Sequence, residues 1–315
     1  MPFPGIGRTY SHRKEYHILK IAIASGKGGT GKTTIATNLA LSLVNTGKAV
    51  QLLDCDVEEP NCHIFLKPVI DSSYPETVLL PTVVKEKCTG CNVCADVCEY
   101  NAIVVIKQDV LVFPELCHSC GACALFCPED AIVETTREVG NIEKGTSNGI
   151  GFIQGLLNIG ELMSPAVIKG VKEAVPESDI VIYDSPPGTS CPVIEAVKDA
   201  DFVLLVTEPT PFGLNDLELA VGMVRELGLP FAVAINRCDV GTKDVKEYCT
   251  RENIEVVLEI PDDRRIAEAY SRGDMMLVAV PEYGEFFTDC WTRIQQMQKH
   301  TRGSMRDEKT AEELS

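Results

Sequence analysis

The sequence predicts an α/β fold: a doubly wound, mainly parallel sheet with a small module inserted into it. Three observations carry that prediction. Short apolar runs alternate with amphipathic helical stretches along most of the chain. A glycine-rich loop joins the first run to the first helix, and a dense block of cysteines interrupts the alternation once. Helical crossovers between apolar runs force neighbouring strands to pair in parallel, with both sheet faces covered.

Residues 1–17 read as a polar extension containing Pro, Gly and Ser. Ile18 to Ala24 is an apolar run of strand type and leads into the glycine-rich stretch Ser25 to Gly31. Thr33 to Val44 carries Ile35, Leu39 and Leu43 on one stripe, so a helix is expected, closed by Gly47. Ala49 to Leu53 is a second strand, completing a βαβ unit. The rhythm breaks near residue 60 and resumes after the cysteine block, with a helix near 164–174 and a strand at 179–183. Next come a helix near 192–198, a strand at 202–206, a helix at 214–227 and a strand at 231–235. A helix near 242–252, a strand at 255–260 and a helix near 263–272 follow. Phe287, Trp291, Ile294 and Met297 fall at helical spacing and predict a helix over 285–299 that packs on the body. Thr301 to Ser315 is charged and aperiodic, and reads as a disordered tail. The α/β domain is therefore discontinuous, 18–85 and 138–300, around an insertion at 86–137.

The composition, 45% hydrophobic and 24% charged over 315 residues, is that of a soluble folded protein. Runs such as Phe202 to Val206 are far too short to cross a bilayer, and membrane association is not expected. Lys and Arg total 29 against 46 Asp and Glu, a net charge of −17, which argues against nucleic-acid binding. The first twenty residues carry Arg8, Arg13, Lys14 and Lys20 without the apolar core of a secretory signal. A cytoplasmic location follows, and there the 14 Cys point to metal or catalysis rather than to disulfides.

Gly26-Lys-Gly-Gly-Thr-Gly-Lys-Thr33 fits G-x-x-x-x-G-K-[ST], a loop whose glycines let backbone N–H groups turn inward around phosphate. The following helix presents its positive N-terminal end to the same anion. Lys32 can reach the β- and γ-phosphates and the Thr33 hydroxyl can bind Mg²⁺. Gly26, Gly28 and Gly31 also fit the dinucleotide pattern G-x-G-x-x-G, with Asp54 near the expected distance for a ribose-binding acid. Lys32 and Thr33 decide against that reading, because a dinucleotide loop has no need of them. So does Asp184, a carboxylate ending the apolar strand Ile180 to Asp184, the form suited to holding Mg²⁺ through water.

The loop Lys27-Gly-Gly-Thr-Gly-Lys-Thr-Thr34 holds a second lysine, and here the chain resembles the MinD/Mrp/ParA superfamily of deviant P-loop ATPases of the SIMIBI type. The resemblance continues through Asp54-Cys-Asp56-Val-Glu-Glu-Pro-Asn61, Asp184-Ser-Pro-Pro-Gly-Thr189, Thr207-Glu-Pro-Thr210, Ala234-Ile-Asn-Arg237 and Ile260-Pro-Asp262. It implies ATP and Mg²⁺ held by Gly26, Lys27, Gly28, Gly29, Thr30, Gly31, Lys32, Thr33 and Thr34. It implies that Lys27 reaches phosphates bound by a partner subunit, in a homodimer or a heterodimer with a paralogous ATPase. Asp56 would orient the attacking water, Asp54 and Asp184 would help hold Mg²⁺, Gly188 would sense the γ-phosphate and Asn236 would contact adenine.

Cys88, Cys91, Cys94 and Cys98 form C-x₂-C-x₂-C-x₃-C, and the second copy begins at Cys117, 29 residues after Cys88, with Cys120, Cys123 and Cys127. Ala95/Ala124, Ala102/Ala131, Ile103/Ile132 and Val104/Val133 match as well, so the block is an internal duplication. It looks like a bacterial two-[4Fe–4S] ferredoxin, except that Glu99 stands where the pattern has Pro. That resemblance implies crossed ligation: one cluster on Cys88, Cys91, Cys94 and Cys127, the other on Cys117, Cys120, Cys123 and Cys98. Two Zn²⁺ sites are the alternative for eight cysteines, although zinc motifs usually separate their ligand pairs by longer loops. Oxidised clusters would each add about −2, so a redox partner docking here should present a basic face. Cys55, Cys62, Cys191, Cys238, Cys249 and Cys290 remain and read as small buried hydrophobes. Cys191 stands apart, because the nitrogenase iron protein, a relative of the superfamily, has a cluster-bridging cysteine at a similar offset.

The expected function is an Mg²⁺-dependent ATPase whose nucleotide state gates an inserted two-cluster electron-transfer module. The alternatives are an iron–sulfur assembly or carrier ATPase, from which the C-terminal C-P-x-C pair of Mrp-type carriers is missing, and a MinD-like positioning ATPase.

Overall fold

The computed structural model describes residues 18–312, with side chains as far as Lys299, so the extension at 1–17 lies outside the described residues. Its first half begins with β1 (Leu19–Ala24), α1 (Lys32–Asn45), β2 (Val50–Asp54), α2 (Cys62–Leu66) and β3 (Val69–Val83). The cysteine block then forms α3 (Val93–Asp96), β4 (Ile103–Ile106), β5 (Asp109–Val112) and α4 (Ala122–Leu125). The chain returns through β6 (Ile132–Ser147), β7 (Ile150–Leu157) and α5 (Ser164–Glu173). Then come β8 (Ile180–Asp184), α6 (Cys191–Val197), β9 (Phe202–Thr207), α7 (Pro211–Glu226) and β10 (Phe231–Asn236). The last elements are α8 (Asp244–Arg251), β11 (Val256–Ile260), α9 (Arg264–Ser271), α10 (Met276–Ala279) and α11 (Gly284–Glu312).

One nine-stranded sheet has the order β11-β10-β9-β1-β8-β2-β7-β6-β3. The pairs from β11 to β7 are parallel; β6 and β3 join antiparallel at one edge. The sheet is thus mainly parallel, as the alternating pattern predicts. Its two faces bury separate apolar layers. One gathers Ile21, Leu39, Leu52 and Ile182 with Phe287, Trp291 and Ile294 of α11. The other gathers Ala22, Leu53, Val181 and Tyr183 with Val167, Val193 and Val221 of α5, α6 and α7. Strands buried on both faces need no polar alternation, which is why β8 and β9 read as apolar runs and β1 as one interrupted only by Lys20.

Two features depart from the sequence reading. The antiparallel extension β3–β6–β7 was not anticipated: most of β3 is exposed and holds Pro75 and Pro81, so it carries no alternating signal. The expected boundary at 137/138 therefore falls inside one strand, β6, and the cysteine block sits between the paired ends of β3 and β6. The helix expected to stop at 299 continues to Glu312, across the segment read as disordered. Charged and long polar residues such as Arg302, Arg306, Glu308 and Lys309 are good helix formers, and aperiodicity alone did not exclude a helix.

The cysteine block has its own two-stranded sheet, β4–β5, and its own small core of Cys94, Ile103 and Ile132. Val84 donates its N–H to the Ala131 carbonyl at 2.8 Å, closing the arm where the block begins.

Candidate nucleotide site and cysteine cavities

Parallel strands deliver their loops to one edge, and the loops after β1, β2, β8, β10 and β11 converge there. The pocket they form, about 390 Å³, is lined by Gly28, Gly29, Gly31, Lys32, Thr33, Thr34, Asp56, Asn61, Pro187 and Asn236, among others. The loop needs its glycines for specific reasons. Gly31 has φ +96°, and a Cβ there would sit 2.6 Å from Asn236 Nδ2. A Cβ on Gly26 would sit 2.0 Å from the Asp216 carbonyl oxygen at the start of α7. Asn236 holds the loop across that close approach, with Nδ2 donating to the Thr30 carbonyl at 3.1 Å.

Lys32 is buried and turned inward. Its Nζ donates to Ser25 Oγ at 3.0 Å and to the Lys27 carbonyl at 3.5 Å. Burial lowers its pKa, opposed by the charges of Asp184 and Asp56. Thr33 Oγ1 donates to Asp184 Oδ2 at 2.6 Å, while Asp184 Oδ1 is buried with no hydrogen-bond partner. Cys62 Sγ donates to Asp184 Oδ2 at 3.2 Å. The ligand atoms of Asp54, Cys62 and Asp184 lie within 4.8 Å of one another. Burial, and for Asp54 also the charge of Asp184, raises both carboxyl pKa values. An unpaired buried oxygen beside a hydroxyl and crowded carboxyls suits a hard divalent cation.

The two acids of Asp54-Cys-Asp56 part company in space. Asp54 is fully buried and organises its loop: Oδ1 accepts from Asp56 N at 3.1 Å, and Oδ2 from Asn61 N and Cys62 N at 2.9 Å each. Asp56 faces the pocket, its pKa raised to about 6 by burial and by Asp184. Gly188 has φ +98° and donates its N–H to the Ser25 carbonyl at 3.0 Å. Lys27 is not among the residues lining the pocket, although its carbonyl accepts from Ser25 Oγ at 2.5 Å.

Sequence reasoning did not single out Ser25 as the partner of Lys32, nor Arg237, Asp263, Ile266, Tyr270 and Met276 as the far wall of the pocket. Ser25 had a signal, its position directly before the loop, and so had Arg237, the last residue of the Ala234-Ile-Asn-Arg237 motif; Asp263, Ile266, Tyr270 and Met276 had none beyond the neighbouring Ile260-Pro-Asp262, because packing of the later helices brings them in. Of the six remaining cysteines, Cys55, Cys62, Cys249 and Cys290 are buried, Cys238 is half-buried, and Cys191 is exposed at the start of α6.

The eight cysteines of the block line two cavities. One is walled by Cys88, Cys91, Cys94 and Cys127. The other is walled by Cys98, Cys117, Cys120 and Cys123, with Tyr100 and His118 stacked at 3.7 Å between ring centroids. Each cavity takes three cysteines from one copy of the motif and the last from the other. Backbone N–H groups aim at the sulfurs: Ala102 at Cys98 and Ala131 at Cys127, both 3.3 Å, and Ser119 at Cys117, 3.4 Å.

The CobQ/CobB/MinD/ParA nucleotide binding domain matches residues 21–276. An uncharacterized protein of Methanocaldococcus jannaschii is 33% identical over 262 residues, covering 82% of this chain and 91% of its own. The iron-sulfur cluster carrier protein of Pyrococcus furiosus is 24% identical over 300 residues, covering 86% and 84%. The septum site-determining protein MinD of Pyrococcus horikoshii, solved with Mg-ADP, superposes with a TM-score of 0.55 at 19% identity, over 88% of this chain and 96% of that one. Among the described residues no helix is long and apolar enough to cross a membrane.

Proposed function

The chain belongs to the CobQ/CobB/MinD/ParA nucleotide-binding family as a MinD/ParA-type P-loop ATPase, and from that premise we propose that its ATP cycle gates an inserted module carrying two [4Fe–4S] clusters. One observation carries the second half of the reading: the eight cysteines divide into two four-cysteine cavities by exchange between the motif copies. The exchange of the fourth cysteine between the copies favours clusters over zinc, because a two-cluster module with this spacing shares its ligands in that way. The N–H groups aimed at sulfur suit thiolate ligands, whose potential such bonds tune.

In the ATPase half, Lys32 leaves Ser25 to meet the β- and γ-phosphates, while the loop N–H groups and the start of α1 hold the remaining phosphate oxygens. Mg²⁺, when bound, neutralises developing phosphate charge. Thr33 and Asp184 would hold it, with Asp54 behind them. Asp56 orients the attacking water, and its raised pKa suits a residue that takes up a proton as the water attacks. Asn236 and the wall near Pro261 receive the base. Lys27, outside this chain's own pocket wall, serves a partner's phosphates. In the module, the clusters supply one-electron transfer, and the cysteines and their N–H donors hold and tune them.

The carrier reading has one observation of its own, the likeness to iron-sulfur cluster carrier proteins. An anaerobic EPR redox titration with Mg-ADP and then a non-hydrolysable ATP analogue separates the two. About 60 mV for one electron is roughly 1.4 kcal/mol of coupling, and a shift of that size supports gating of potential. An unshifted potential with clusters lost to a chelator or an apo-protein supports transfer. Absence of iron and sulfide after anaerobic purification refutes the cluster module.

A further inference from the structure

β6 changes character at one residue. From Gly140 to Ser147 it lies between β3 and β7; from Ile132 to Glu138 it pairs with β3 alone. At the change, Glu76 pairs with Gly140 and Thr77 with Glu138, so Val139 is skipped: a β-bulge at the root of the two-stranded arm that carries the cysteine block. Bulges bend a strand and re-aim what lies beyond them, and a two-stranded ribbon has little stiffness of its own.

That bulge is tied to the nucleotide loop by consecutive backbone bonds. Val57 follows Asp56, the pocket-facing acid, and its carbonyl accepts from Leu157 N at 2.9 Å. The next residue, Asn158, donates its N–H to the Val139 carbonyl at 3.0 Å. Val57 and Val139 are both buried, and Gly155 leaves β7 room to lie against Val57, since a Cβ there would come within 2.6 Å of Val57 Cγ1. A second tie lies beside the first. Arg137, two residues along the arm, pairs with Glu161 of the loop after β7, and Glu161 Oε1 also accepts from Leu162 N at 2.9 Å and Met163 N at 3.2 Å. A polar row crosses the same strands: Asp184, Asp54, Gln154 and Glu143 are register neighbours, and Gln154 Nε2 donates to Glu143 Oε2 at 2.7 Å.

From these contacts we infer that the Val139 bulge is the hinge through which the loop at Asp56 and Val57 moves the cysteine module, with Val57–Leu157 and Asn158–Val139 as the links. The inference rests on the ATPase reading above and adds the route. When the Asp56 loop tightens on γ-phosphate, Val57 draws on the end of β7. Asn158 carries the displacement to the carbonyl of Val139, the residue skipped inside the β3–β6 register.

The test is amide hydrogen exchange on the anaerobically purified full-length protein, with Mg-ADP and with a non-hydrolysable Mg-ATP analogue. Asn158→Pro deletes the donor to Val139; Arg137→Gln, which keeps the backbone donors, loosens the second tie. In the wild type, exchange in 77–83 and 132–139 should differ severalfold between the two nucleotides. In Asn158→Pro that difference should vanish, and in Arg137→Gln it should shrink, while residues 26–34 stay protected in both. An arm that does not respond in the wild type, with 26–34 protected, overturns the hinge. So does an arm response that survives Asn158→Pro intact. Failure of 26–34 to gain protection from either nucleotide refutes the ATPase reading itself, and the hinge with it.

Discussion

Replacing Asp54 by Ala should unlock the loop that precedes α2 before any effect on hydrolysis is considered. The carboxylate accepts three backbone N–H groups, from Asp56, Asn61 and Cys62. A stranded buried donor costs about 1–3 kcal/mol. The Cys62 bond is fully buried and the other two are partly so, which allows water to rescue them in part; the loss comes to roughly 3–5 kcal/mol. Part of it is returned, because burial and then the Asp184 charge make an ionised Asp54 unfavourable. A net cost of about 2–3 kcal/mol is expected. Asp54→Asn keeps an oxygen for Asn61 and Cys62 and sets only its amide against the Asp56 N–H, so about 1 kcal/mol is expected. Urea unfolding without nucleotide in EDTA, with amide exchange over 55–62, reads both. If Asp54→Ala falls within about 0.5 kcal/mol of wild type and the loop exchanges at the native rate, the carboxylate does not organise the loop and its burial needs another explanation.

Three further outcomes are expected. Gly31→Ala forces a left-handed backbone costing about 1–2 kcal/mol and pushes into Asn236 Nδ2; nucleotide affinity by calorimetry should fall about tenfold or more. Asn236→Ala should weaken binding by itself, and the double variant should lose less than the sum of the two single losses; strictly additive losses would deny the contact. Cys127→Ala and Cys88→Ala should remove the same EPR signal, with the double variant no worse than either, whereas loss of different signals would break the crossed assignment. Asp263 caps α9, and Arg265 holds its carboxyl down at about 2 through side-chain and then backbone hydrogen bonds. A depressed carboxyl adds stability above its unfolded pKa and loses it as pH falls through the folded one. The urea-midpoint gap between wild type and Asp263→Asn should therefore be full at pH 5 and narrow toward pH 2; a gap independent of pH would rule out the ion pair as its cause.

Much of the nucleotide site was legible because its chemistry is local. The turn from β1 into α1 needs Gly26, Gly29 and Gly31 in sequence with Lys32 and Thr33, and the helix that follows is fixed by its own stripe. The doubly buried strands β1, β2, β8, β9 and β10 were legible for a related reason: burial on both faces leaves a largely apolar run, interrupted only by Lys20 in β1 and Gln51 in β2 before the strand ends. β3 was not, because a strand exposed along most of its length has no pattern to read. Asp54 and Asp56 look alike in sequence, yet one is sealed behind the loop and the other opens onto the pocket.

The sequence alone determined that a phosphate loop is present, that strands and helices alternate around it, and that eight cysteines repeat with metal-binding spacing. The crossed division of those cysteines was already implied by the ferredoxin resemblance; tertiary structure supplied the packing that closes each cavity, the two copies folding against one another around Cys94, Ile103 and Ile132. It alone decided that the block hangs from the sheet by β3 and β6, with a bulge at Val139 hydrogen-bonded next to the end of β7. The reason is contact range. Spacing within one turn or one helix is written in neighbouring residues, whereas Val57, Val139 and Leu157 become neighbours only through strand pairing across the whole sheet.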